Sequence, residues 1–463
     1  MRFELQEIAS AIRALGDLDQ TAASGLVRVQ TDSRAIQKGD VFFCLSGQAF
    51  DGHNFAPDAV RRGAAAVVAH KPLPDITAVP VLMVRDTLVA LGDLAVYARR
   101  RTSSRVIAVT GSAGKTTTKE LLYAVLQTQG KTGRNYKNFN NQVGLPLSIL
   151  AMDGDEEFWI LELGINCPGD MDELGRICEP DVAVVINIGP CHLQGLENEK
   201  GVARAKARLA DYLPKQGLCV ASADHPELLQ ELGCRRDIQK LWFGGQGAQC
   251  RAEYAGPREG GGVYRISVQD REAEVFLPFF GRHLAESVAA AACTASALGM
   301  TENRIANGLA RVRVPERRMR SMLFGERLIL DDSYNANPLS MSGAIQAAKE
   351  AAGGRGLVLV LGEMGELGNK RAEKHRELGA WIEKSGCEKA YFAGPSREEV
   401  RIGIDPERRD VFQAVDSPED FLRAWRKDAP AAAVTLFKGS RSAQMERYLQ
   451  ALSTELGHNP GEN

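Results

Sequence analysis

The sequence predicts an α/β protein with three domains, two of which are built on mainly parallel sheets. The chain has 463 residues, which is more than one ordinary hydrophobic core holds. Strand-like runs such as RVIAVT, FWILELG and DVAVVINIG alternate with helical patterns, and such alternation is typical of parallel βαβ units. The alternation begins again after residue 313, and a glycine-rich loop directly follows RVIAVT.

These observations predict three domains with boundaries in polar segments. A small N-terminal α/β domain is expected at 1–104 and a central domain with a parallel sheet at 105–312. A C-terminal Rossmann-like α/β domain is expected at 313–463. The run RRRTSS at 99–104 is predicted to be a polar junction between the first two domains.

Each domain has its own expected elements. In the first, GDVFFCLSG predicts a strand and Ala56–Gly63 a helix. In the second, GDMDELGRIC and GVARAKARLADYL predict helices, Gly256–Gly262 a turn between strands, and Ala285–Leu298 a closing helix. In the third, RLILDD, GLVLVLG, KAYFAG and AAVTLFKG predict strands, with helices after Pro338 and near Glu373–Lys384. The tail GHNPGEN is expected to fray.

Composition and charge exclude several classes of protein. Hydrophobic residues make up 44% of the chain and charged residues 25%, which is the balance of a soluble globular protein. A net charge of -2 argues against nucleic-acid binding, which depends on phosphate neutralisation by Lys and Arg. No apolar run approaches the roughly 20 residues that a membrane span requires. Glu4 and Glu7 stand where a signal peptide would be basic and then apolar, so we expect a cytoplasmic protein.

The nine cysteines are scattered, and no CxxC pair occurs among them. This distribution is typical of free thiols in a reducing compartment. Cys167, Cys178 and Cys191 are close enough in sequence to raise the question of a metal site. Structural zinc sites use tighter paired spacing, so we interpret these three residues as small apolar side chains near strand ends.

The loop after RVIAVT has the composition of a phosphate-binding turn. Its glycines let backbone N–H groups converge on phosphate oxygens, and the N-terminus of the following helix favours an anion. Lys115 is predicted to reach the β- and γ-phosphates, and the Thr116 hydroxyl to bind Mg²⁺. The loop is shorter than GxxxxGK[ST], and an ordinary strand-to-helix turn is the alternative. The predicted ATP-binding residues here are Gly111, Ser112, Ala113, Gly114, Lys115, Thr116 and Thr117.

Two polar residues at strand ends are predicted to complete a metal site. Glu162 ends the strand in FWILELG, and His192 follows DVAVVINIG. The carboxyl ends of adjacent parallel strands meet at one ligand crevice, so both side chains are expected to converge with Thr116 on metal. Either residue taken alone would more often be structural. A GTPase would carry an NKxD guanine reader, and the sequence has none.

Together these motifs resemble a known family. GSAGKTTTKE, NFNNQVGLP, ELG, NIGPCH and AKA are similar to the central domain of the Mur ligases of peptidoglycan synthesis. DDSYNANP, LGEMGELG and LFKGSRSAQME resemble the member that adds D-alanyl-D-alanine to UDP-N-acetylmuramoyl-tripeptide. TDSRAIQKGDVFFCLSGQAFDGHNF is similar to the nucleotide-sugar domain of that member and of the relative that makes the tripeptide. The DNPR signature of the relative is absent.

The resemblance implies an ATP-dependent amide ligase whose three domains bind the UDP substrate, ATP and the amino substrate. The tripeptide carboxylate would attack the γ-phosphate to give an acyl-phosphate, which the amine of D-alanyl-D-alanine would then attack, releasing phosphate. The implied cofactors are ATP, two Mg²⁺ ions and a carbamylated lysine. The implied partners are UDP-N-acetylmuramoyl-tripeptide and D-alanyl-D-alanine, and we expect a monomer without nucleic-acid binding or membrane insertion.

The resemblance also implies roles for individual residues. Lys206 matches the lysine that is carbamylated and helps to hold the second Mg²⁺, although by itself it would be interpreted as an exposed helix lysine. The implied catalytic residues are Lys115, His192 and Lys206, and the implied metal site is Thr116, Glu162, His192 and Lys206. Further implied ATP-binding residues are Asn138, Asn140, Asn141, His283, Arg318, Asp331, Asp332 and Asn335. The implied substrate-binding residues are Ser33, Arg34, Asp51, His53, Tyr334 and Asn337, although the DSR run is equally compatible with a structural turn.

This sequence departs from the family pattern in three places. The adenine motif GxHNxxNA is replaced by GRHLAESVA, so Leu284 and Ser287 replace two asparagines, and we expect weaker discrimination among purine triphosphates. Arg208 stands where a glutamate usually follows the carbamylated lysine, which would change the charge beside the metals. Arg317 replaces a glycine after the linker, which predicts a stiffer hinge.

Two other interpretations stay open at this point. Another Mur-type ligase would keep the ATP chemistry and join different partners. A degenerate nucleotide-binding protein would act as a scaffold or regulator, but the intact phosphate-loop and metal-site residues argue against it. The sequence leaves the third residue of the tripeptide open between diaminopimelate and lysine.

Overall fold

The computed structural model describes residues 1–15, 25–47, 50–245, 247–428 and 433–457, which form four sheets. Apart from Gly457, the tail GHNPGEN lies outside the described residues, so its fraying stays a prediction. Within the described ranges, no helix has both the length and the apolar character needed to cross a membrane.

The N-terminal region contains a small parallel sheet. Its strands are β1 (Phe3–Glu4), β2 (Leu26–Val27), β3 (Val29–Gln30), β4 (Val41–Phe43), β5 (Ala66–Ala69) and β6 (Val81–Met83), and its helices are α1 (Leu5–Ala11), α2 (Ala56–Arg61) and α3 (Thr87–Arg100). The parallel sheet has the order β3-β4-β5-β6, while β1 and β2 form a separate antiparallel pair. Every residue of β4 and β5 is buried, because apolar runs such as VFF and AVVA are covered on both faces.

The central region contains a nine-stranded sheet. Its strands are β7 (Arg105–Thr110), β8 (Thr132–Arg134), β9 (Phe158–Glu162), β10 (Val182–Val185), β11 (Leu218–Ser222), β12 (Gln239–Phe243), β13 (Cys250–Arg258), β14 (Gly261–Val268) and β15 (Arg271–Leu277). Its helices are α4 (Lys115–Leu126), α5 (Gly144–Ala151), α6 (Asp170–Cys178), α7 (Leu193–Leu196), α8 (Glu199–Ala207), α9 (Pro226–Gly233), α10 (Ala285–Ala297) and α11 (Glu302–Leu309). The order is β15-β14-β13-β12-β11-β10-β7-β9-β8, with antiparallel pairing confined to β13–β15. Strand β7 therefore lies between β9 and β10.

Two expectations for the central region need correction. The turn predicted over Gly256–Gly262 is shorter, because β13 extends to Arg258 and β14 begins at Gly261. The two strands pair antiparallel, so Gly256, Gly261 and Gly262 belong to the strands and not to the turn. The register is irregular between Tyr254 and Gly256. The helix predicted over Ala285–Leu298 is present as α10, but α11 follows it and is the last helix of the region.

The C-terminal region contains a six-stranded sheet with the expected alternation. Its strands are β16 (Arg320–Phe324), β17 (Arg327–Asp332), β18 (Leu357–Gly362), β19 (Lys389–Ala393), β20 (Phe412–Ala414) and β21 (Val434–Lys438). Its helices are α12 (Pro338–Ala352), α13 (Arg371–Ser385), α14 (Arg397–Ile402), α15 (Pro418–Asp428) and α16 (Met445–Glu455). The order is β16-β17-β21-β18-β19-β20, parallel except for the edge strand β16.

The segment predicted as a polar junction begins inside helix α3. Helix α3 includes Arg99 and Arg100, and Arg99 donates to the Cys178 and Glu179 carbonyls and to Asp181 of the central region. The apolar face of α3 packs into one core cluster with α5 and α6. The N-terminal and central sheets are therefore joined by a shared hydrophobic core, and Arg99 beside it donates to carbonyls at the end of α6.

Candidate active site at the carboxyl edge of the central sheet

The phosphate loop lies at the carboxyl end of β7. Helix α4 begins at Lys115, directly after Gly114, whose φ of +77° lies in the left-handed region. A Cβ atom at Gly114 would lie 2.5 Å from Ser287 Oγ, so both the backbone and the packing favour glycine there. The unpaired N–H groups of the first turn of α4 are consequently available to an anion in front of the loop.

Hydrogen bonds fix the shape of this loop. Asn187, which follows β10, accepts the Ala113 N–H through its Oδ1 atom at 2.9 Å. Lys115 Nζ donates to Gly111 O at 2.9 Å, so its ammonium group folds back over the loop. These two hydrogen bonds tie the loop to the end of β10 and to its own backbone.

The buried carboxylate of Glu162 lies directly beside the first turn of α4. Its Oε2 atom accepts a hydrogen bond from Thr116 Oγ1 at 2.9 Å, and its Oε1 atom accepts one from Asn140 Nδ2 at 2.7 Å. Lys119 Nζ lies 3.8 Å from Oε2 and donates to the backbone carbonyls of Asn135 and Lys137 in the Asn-rich loop, which is residues 135–143 between β8 and α5. The structure therefore brings together Thr116 and Glu162, the two groups that the sequence analysis places beside the metal.

His192 has a different environment from the other predicted metal ligands. It adopts a φ of +52°, and its Nδ1 atom lies 2.6 Å from Glu366 Oε2 in the C-terminal region. The imidazole lowers the pKa of the Glu366 carboxyl. Among the described residues, no hydrogen bond joins His192 to Thr116 or Glu162. In this arrangement His192 links the central sheet to the C-terminal domain.

Lys206 is a fully buried lysine on α8. Its Nζ atom has no hydrogen-bond partner among the residues that the structure describes. Burial, with a smaller contribution from the charge of Lys115, lowers the pKa of Lys206 from 10.5 to about 8, although Cys191 acts in the opposite direction. A buried ammonium without a partner is costly, so this position favours a neutral or chemically modified amine. The expectation of an exposed helix lysine, drawn from the residue alone, is wrong.

The Asn-rich loop surrounds Glu162 from the opposite side. Asn138 is exposed, and Asn141 Oδ1 accepts the Gly144 N–H at the start of α5. Asn135, which the sequence analysis did not select, bonds both backbone groups of Glu162: its Nδ2 donates to Glu162 O and its Oδ1 accepts Glu162 N–H, each at 2.9 Å. This residue fixes the end of β9 and hence the position of the carboxylate.

The C-terminal domain approaches the phosphate loop through Arg318. Its Nη2 atom lies 3.4 Å from Thr116 Oγ1, and its guanidinium carbon lies 4.0 Å from the centroid of the Tyr334 ring. Asp332 pairs with the buried Lys438 at 2.5 Å. These contacts place two cations and a carboxylate of the C-terminal domain beside the central phosphate loop.

The remaining C-terminal residues have mostly local partners. Asp331 accepts from the Ser333 N–H and hydroxyl, and burial raises its pKa. Asn335 is exposed. Asn337 caps α12 and donates from Nδ2 to Ser112 O of the phosphate loop at 3.0 Å. Asn337 therefore connects the two domains in this arrangement, and its role as a substrate contact stays a prediction.

Two openings adjoin these groups. A cleft of about 990 Å³ lies between α4, the Asn-rich loop and the C-terminal domain; its lining includes Thr116, Lys119, Asn138, Arg318, Tyr334, Asn335 and Arg441. A smaller cavity of about 140 Å³ lies beside Gly114 and includes His283, Leu284, Glu286 and Ser287 in its lining. Burial lowers the pKa of His283 to about 4, so this ring is neutral near pH 7.

Comparisons with known proteins agree with this arrangement. Three family models match: "Mur ligase family, catalytic domain" at residues 26–99, "Mur ligase middle domain" at 109–295, and "Mur ligase, glutamate ligase domain" at 317–441. The UDP-N-acetylmuramoyl-tripeptide--D-alanyl-D-alanine ligase of Bacillus subtilis is 32% identical over 451 residues, covering 97% of this chain and 97% of that protein. The chain belongs to the Mur ligase family.

Other Mur ligases are similar over comparable lengths. The Escherichia coli protein of the same name is 33% identical over 439 residues, covering 94% of this chain and 95% of that one. The crystal structure of MurF from Acinetobacter baumannii superposes with a TM-score of 0.89 at 28% identity, covering 99% of both chains. The MurF ligase of Thermotoga maritima in complex with ADP has a TM-score of 0.84 at 30% identity, covering 93% of this chain and 98% of that one. The three-domain α/β fold is thereby confirmed.

The N-terminal residues suggested by the Mur ligase resemblance lie after two strands of the small sheet. Ser33 is buried and Arg34 is exposed, its guanidinium paired with Asp32 at 2.8 Å. Asp51 accepts hydrogen bonds from the His53 N–H and from Lys71, and its Oδ1 atom lies 2.6 Å from the buried His53 Nδ1. Burial lowers the pKa of His53.

The departures from the Mur ligase pattern have clear structural settings. Arg208 is exposed, and its guanidinium pairs with Asp172 at 2.6 Å, so its charge is compensated at the surface. Arg317 adopts a φ of +59°, the conformation that favours the glycine usually present there. Leu284 offers no polar atom to the small cavity, and Ser287 is packed against Gly114.

Four polar residues near the Mur ligase site were missed by the sequence analysis: Asn135, Lys119, Glu366 and Lys438. Lys119 lies four residues after Lys115, so helical periodicity places it near the same face of α4, and this signal was available. Lys438 ends the apolar run VTLFK, as Glu162 ends FWILE, and the same strand-end argument would have found it. Glu366 lies in the quoted motif LGEMGELG, but its contact with His192 joins segments far apart in the sequence and had no local signal.

Proposed function

We propose that this protein is an ATP-dependent ligase that joins D-alanyl-D-alanine to UDP-N-acetylmuramoyl-tripeptide through an acyl-phosphate. The observation that carries the proposal is that Thr116, in the first turn of α4, contacts both the Glu162 carboxylate and Arg318 of the C-terminal domain, at the cleft that Thr116 and Arg318 line. The similarity to relatives of that name over nearly the whole chain supports the choice of substrates.

The phosphate loop and the cations around it suit phosphoryl transfer. The loop N–H groups and the start of α4 would bind the β- and γ-phosphates of ATP. Lys115 and Arg318 would neutralise the charge that spreads over the transferring phosphate oxygens. The carboxylate of the tripeptide would attack the γ-phosphorus, ADP would leave, and the resulting acyl-phosphate would carry a carbonyl that the amine of the dipeptide can attack.

Two Mg²⁺ ions fit the oxygen donors of this site. Thr116 and Glu162 offer a hydroxyl and a carboxylate, which are suitable ligands for a hard cation. Carbamylated Lys206 and His192 would help to hold the second ion. The metals would supply charge neutralisation between phosphate oxygens, while Lys119 and Asn135 keep Glu162 in position.

Carbamylation explains the environment of Lys206. The reaction joins the neutral amine to carbon dioxide and releases one proton, so it requires an amine that is not protonated. The lowered pKa and the buried, unpartnered Nζ atom favour that form. The modified group would supply two oxygen ligands where an ammonium would repel Mg²⁺.

The two substrates would arrive from different sides. Ser33, Arg34, Asp51 and His53 would contribute to binding of the UDP-sugar at the carboxyl edge of the small sheet. Tyr334 and Asn337 would contribute to binding of the dipeptide, and Arg441 in the cleft lining is a cation suited to its carboxylate. The boundaries at 104 and 312, the monomeric state and the cytoplasmic location stay predictions.

The deciding experiment is ADP release by the purified full-length protein. We expect release to require both UDP-N-acetylmuramoyl-tripeptide and D-alanyl-D-alanine, with single D-alanine a poor substitute. Rapid turnover with one free amino acid and a shorter muramoyl peptide would make the protein a different Mur-type ligase. Nucleotide binding without ADP release on any acceptor would support the scaffold alternative.

A further inference from the structure

The small cavity beside the phosphate loop contains a carboxylate, Glu286, that neither the phosphate site nor the metal site uses. We propose that Glu286 selects adenine by accepting a hydrogen bond from the 6-amino group of the base. This proposal rests on the proposed use of ATP and concerns only which base is accepted.

The cavity is placed to receive the base of a nucleotide whose phosphates lie on the loop. Its lining contains Ala113 and Gly114 of the loop, the first turn of α10, and Phe279. Glu286 lies in that first turn. A nucleotide bound through the loop would therefore extend its base toward the start of α10.

A hydrogen-bond network fixes the carboxylate. Glu286 Oε2 accepts from Asn187 Nδ2 at 2.9 Å. Its Oε1 atom accepts from Ser222 Oγ at 3.3 Å and lies 2.8 Å from His225 Nε2. These partners follow β10 and end or follow β11, so rigid parts of the sheet hold Glu286 in place. A group held in this way is a preorganised acceptor.

One acceptor position of this carboxylate remains for a ligand. A carboxylate has about four lone-pair positions, and the three neighbours occupy three of them. The side chain of Glu286 is 25% exposed and borders the cavity. The remaining position therefore suits a single donor, such as one N–H of an amino group.

Three other polar groups at the cavity are less suited to reading the base. Asn187 uses both ends of its amide, one on Ala113 N–H and one on Glu286. Ser287 Oγ is packed against Gly114. Neutral His283 presents either a donor or an acceptor according to its tautomer, so it does not by itself distinguish an amino group from a carbonyl.

The chemistry at position 6 of the purine then decides the preference. Adenine has an amino group there, which donates, whereas guanine and hypoxanthine have a carbonyl, which would oppose the Glu286 oxygen. When the 6-carbonyl oxygen faces the Glu286 oxygen, neither acceptor receives a hydrogen bond, which is costly in a desolvated cavity. Guanine also binds carboxylates through two adjacent N–H groups, but that mode needs two free oxygens. The weaker discrimination among purine triphosphates that the sequence predicts follows only from the replacement of two asparagines by Leu284 and Ser287. It leaves out Glu286.

The proposal is tested by nucleotide binding without either peptide substrate. Isothermal titration calorimetry on the full-length protein would measure Kd for ADP, IDP, GDP and purine riboside diphosphate, which has hydrogen at position 6. We expect ADP to bind at least about tenfold more tightly than each of the others, because each loses one hydrogen bond to a charged acceptor. Comparable Kd values for all four in the wild-type protein would overturn the proposal, and this arm requires no variant.

Variants assign the preference to one side chain. In Glu286→Gln the amide can rotate and donate to a 6-carbonyl, so the preference for ADP over IDP should fall to within about threefold. Glu302→Gln is the matched control, because Glu302 is also an acidic residue in the first turn of a helix, α11, and lies outside the cavity lining. An unchanged preference in Glu286→Gln would overturn the proposal. The absence of any nucleotide binding would overturn both this inference and the proposed function, whereas tight ADP binding without turnover would leave this inference intact.

Discussion

The carboxyl edges of the central and N-terminal sheets differ in how their polar groups are satisfied. At the central edge, Lys206 is buried without a partner, and Lys115 bonds a carbonyl of its own loop. At the N-terminal edge, the Asp51 carboxylate is surrounded by donors from Ser46, His53 and Lys71. Both edges are formed by the ends of parallel strands. Among the described residues of these two edges, only the central edge has a buried amine, that of Lys206, without a protein partner.

This difference indicates which edge depends more on a ligand. A buried amine without a partner destabilises the fold, so its presence indicates that something else completes it. A carboxylate that is already saturated orders its own loop, as Asp51 does at the start of a 3-10 helix. Substitutions at the central edge should therefore have the largest effect on catalysis. Substitutions at the N-terminal edge should affect only substrate binding.

The largest effect is expected at Lys206. Lys206→Ala removes the proposed carbamate, so we expect kcat to fall at least a hundredfold, roughly the effect of losing one strong electrostatic stabiliser. Added acetate or formate should restore part of the rate by supplying an oxygen ligand. Lys200→Ala, on the exposed side of the same helix, is the control. Full activity in Lys206→Ala would contradict the conclusion that catalysis depends more on the central edge than on the N-terminal edge.

The next effect is expected at Lys115. Lys115→Ala removes a charge that we propose neutralises the transferring phosphate, which should lower kcat/KM for ATP by about a hundredfold. The comparison is with Lys131→Ala, because Lys131 pairs with Asp153 and Asp155 at the surface of the same domain. ADP release near the wild-type rate in Lys115→Ala would contradict the phosphate-loop assignment.

A smaller effect is expected at the N-terminal edge. Arg34 is exposed and pairs with Asp32 next to it, so it can turn to a diphosphate without disturbing a core. Arg34→Ala should raise KM for the UDP substrate by about tenfold, the value of one hydrogen bond to a charged group. KM for ATP should not change, and Arg61→Ala is the matched surface control. An equal effect of both substitutions would favour the structural interpretation of the DSR turn.

The smallest effect concerns pH and carbon dioxide. The pKa of unmodified Lys206 is lowered from 10.5 to about 8, so its reactive neutral fraction falls about fivefold between pH 8 and pH 7. At a fixed concentration of dissolved carbon dioxide, reactivation of carbon-dioxide-depleted enzyme should be slower at pH 7 by that factor. Between pH 8 and 10.5, unmodified Lys206 is mostly neutral in the folded protein but still protonated in the unfolded chain. The unfolded chain therefore binds more protons, so the free energy of unfolding of the unmodified protein should rise with pH across that interval. A rate of reactivation that does not change with pH would contradict the proposed role of the neutral amine.

Local patterns in the sequence were sufficient for most of the elements. RVIAVT, FWILE and VAVV form β7, β9 and β10, because buried apolar runs between turn residues have few alternatives in a parallel sheet. The pattern correctly predicted a turn between strands at Gly256–Gly262 but not its length, because the antiparallel pairing of β13 with β14 decides where each strand ends. It did not indicate that helix α3 extends through Arg99 or that this side chain donates to carbonyls of the central domain.

The sequence by itself determined the phosphate loop, the strand-end placement of Glu162 and the family resemblance, because these depend on short runs of residues. The tertiary structure alone decided which groups are left without partners and which are paired across domains. The buried Nζ of Lys206, the contact of His192 with Glu366, and the network around Glu286 each join segments that are far apart in sequence. Burial and desolvation depend on how the domains pack, so no local pattern of residues could have specified them.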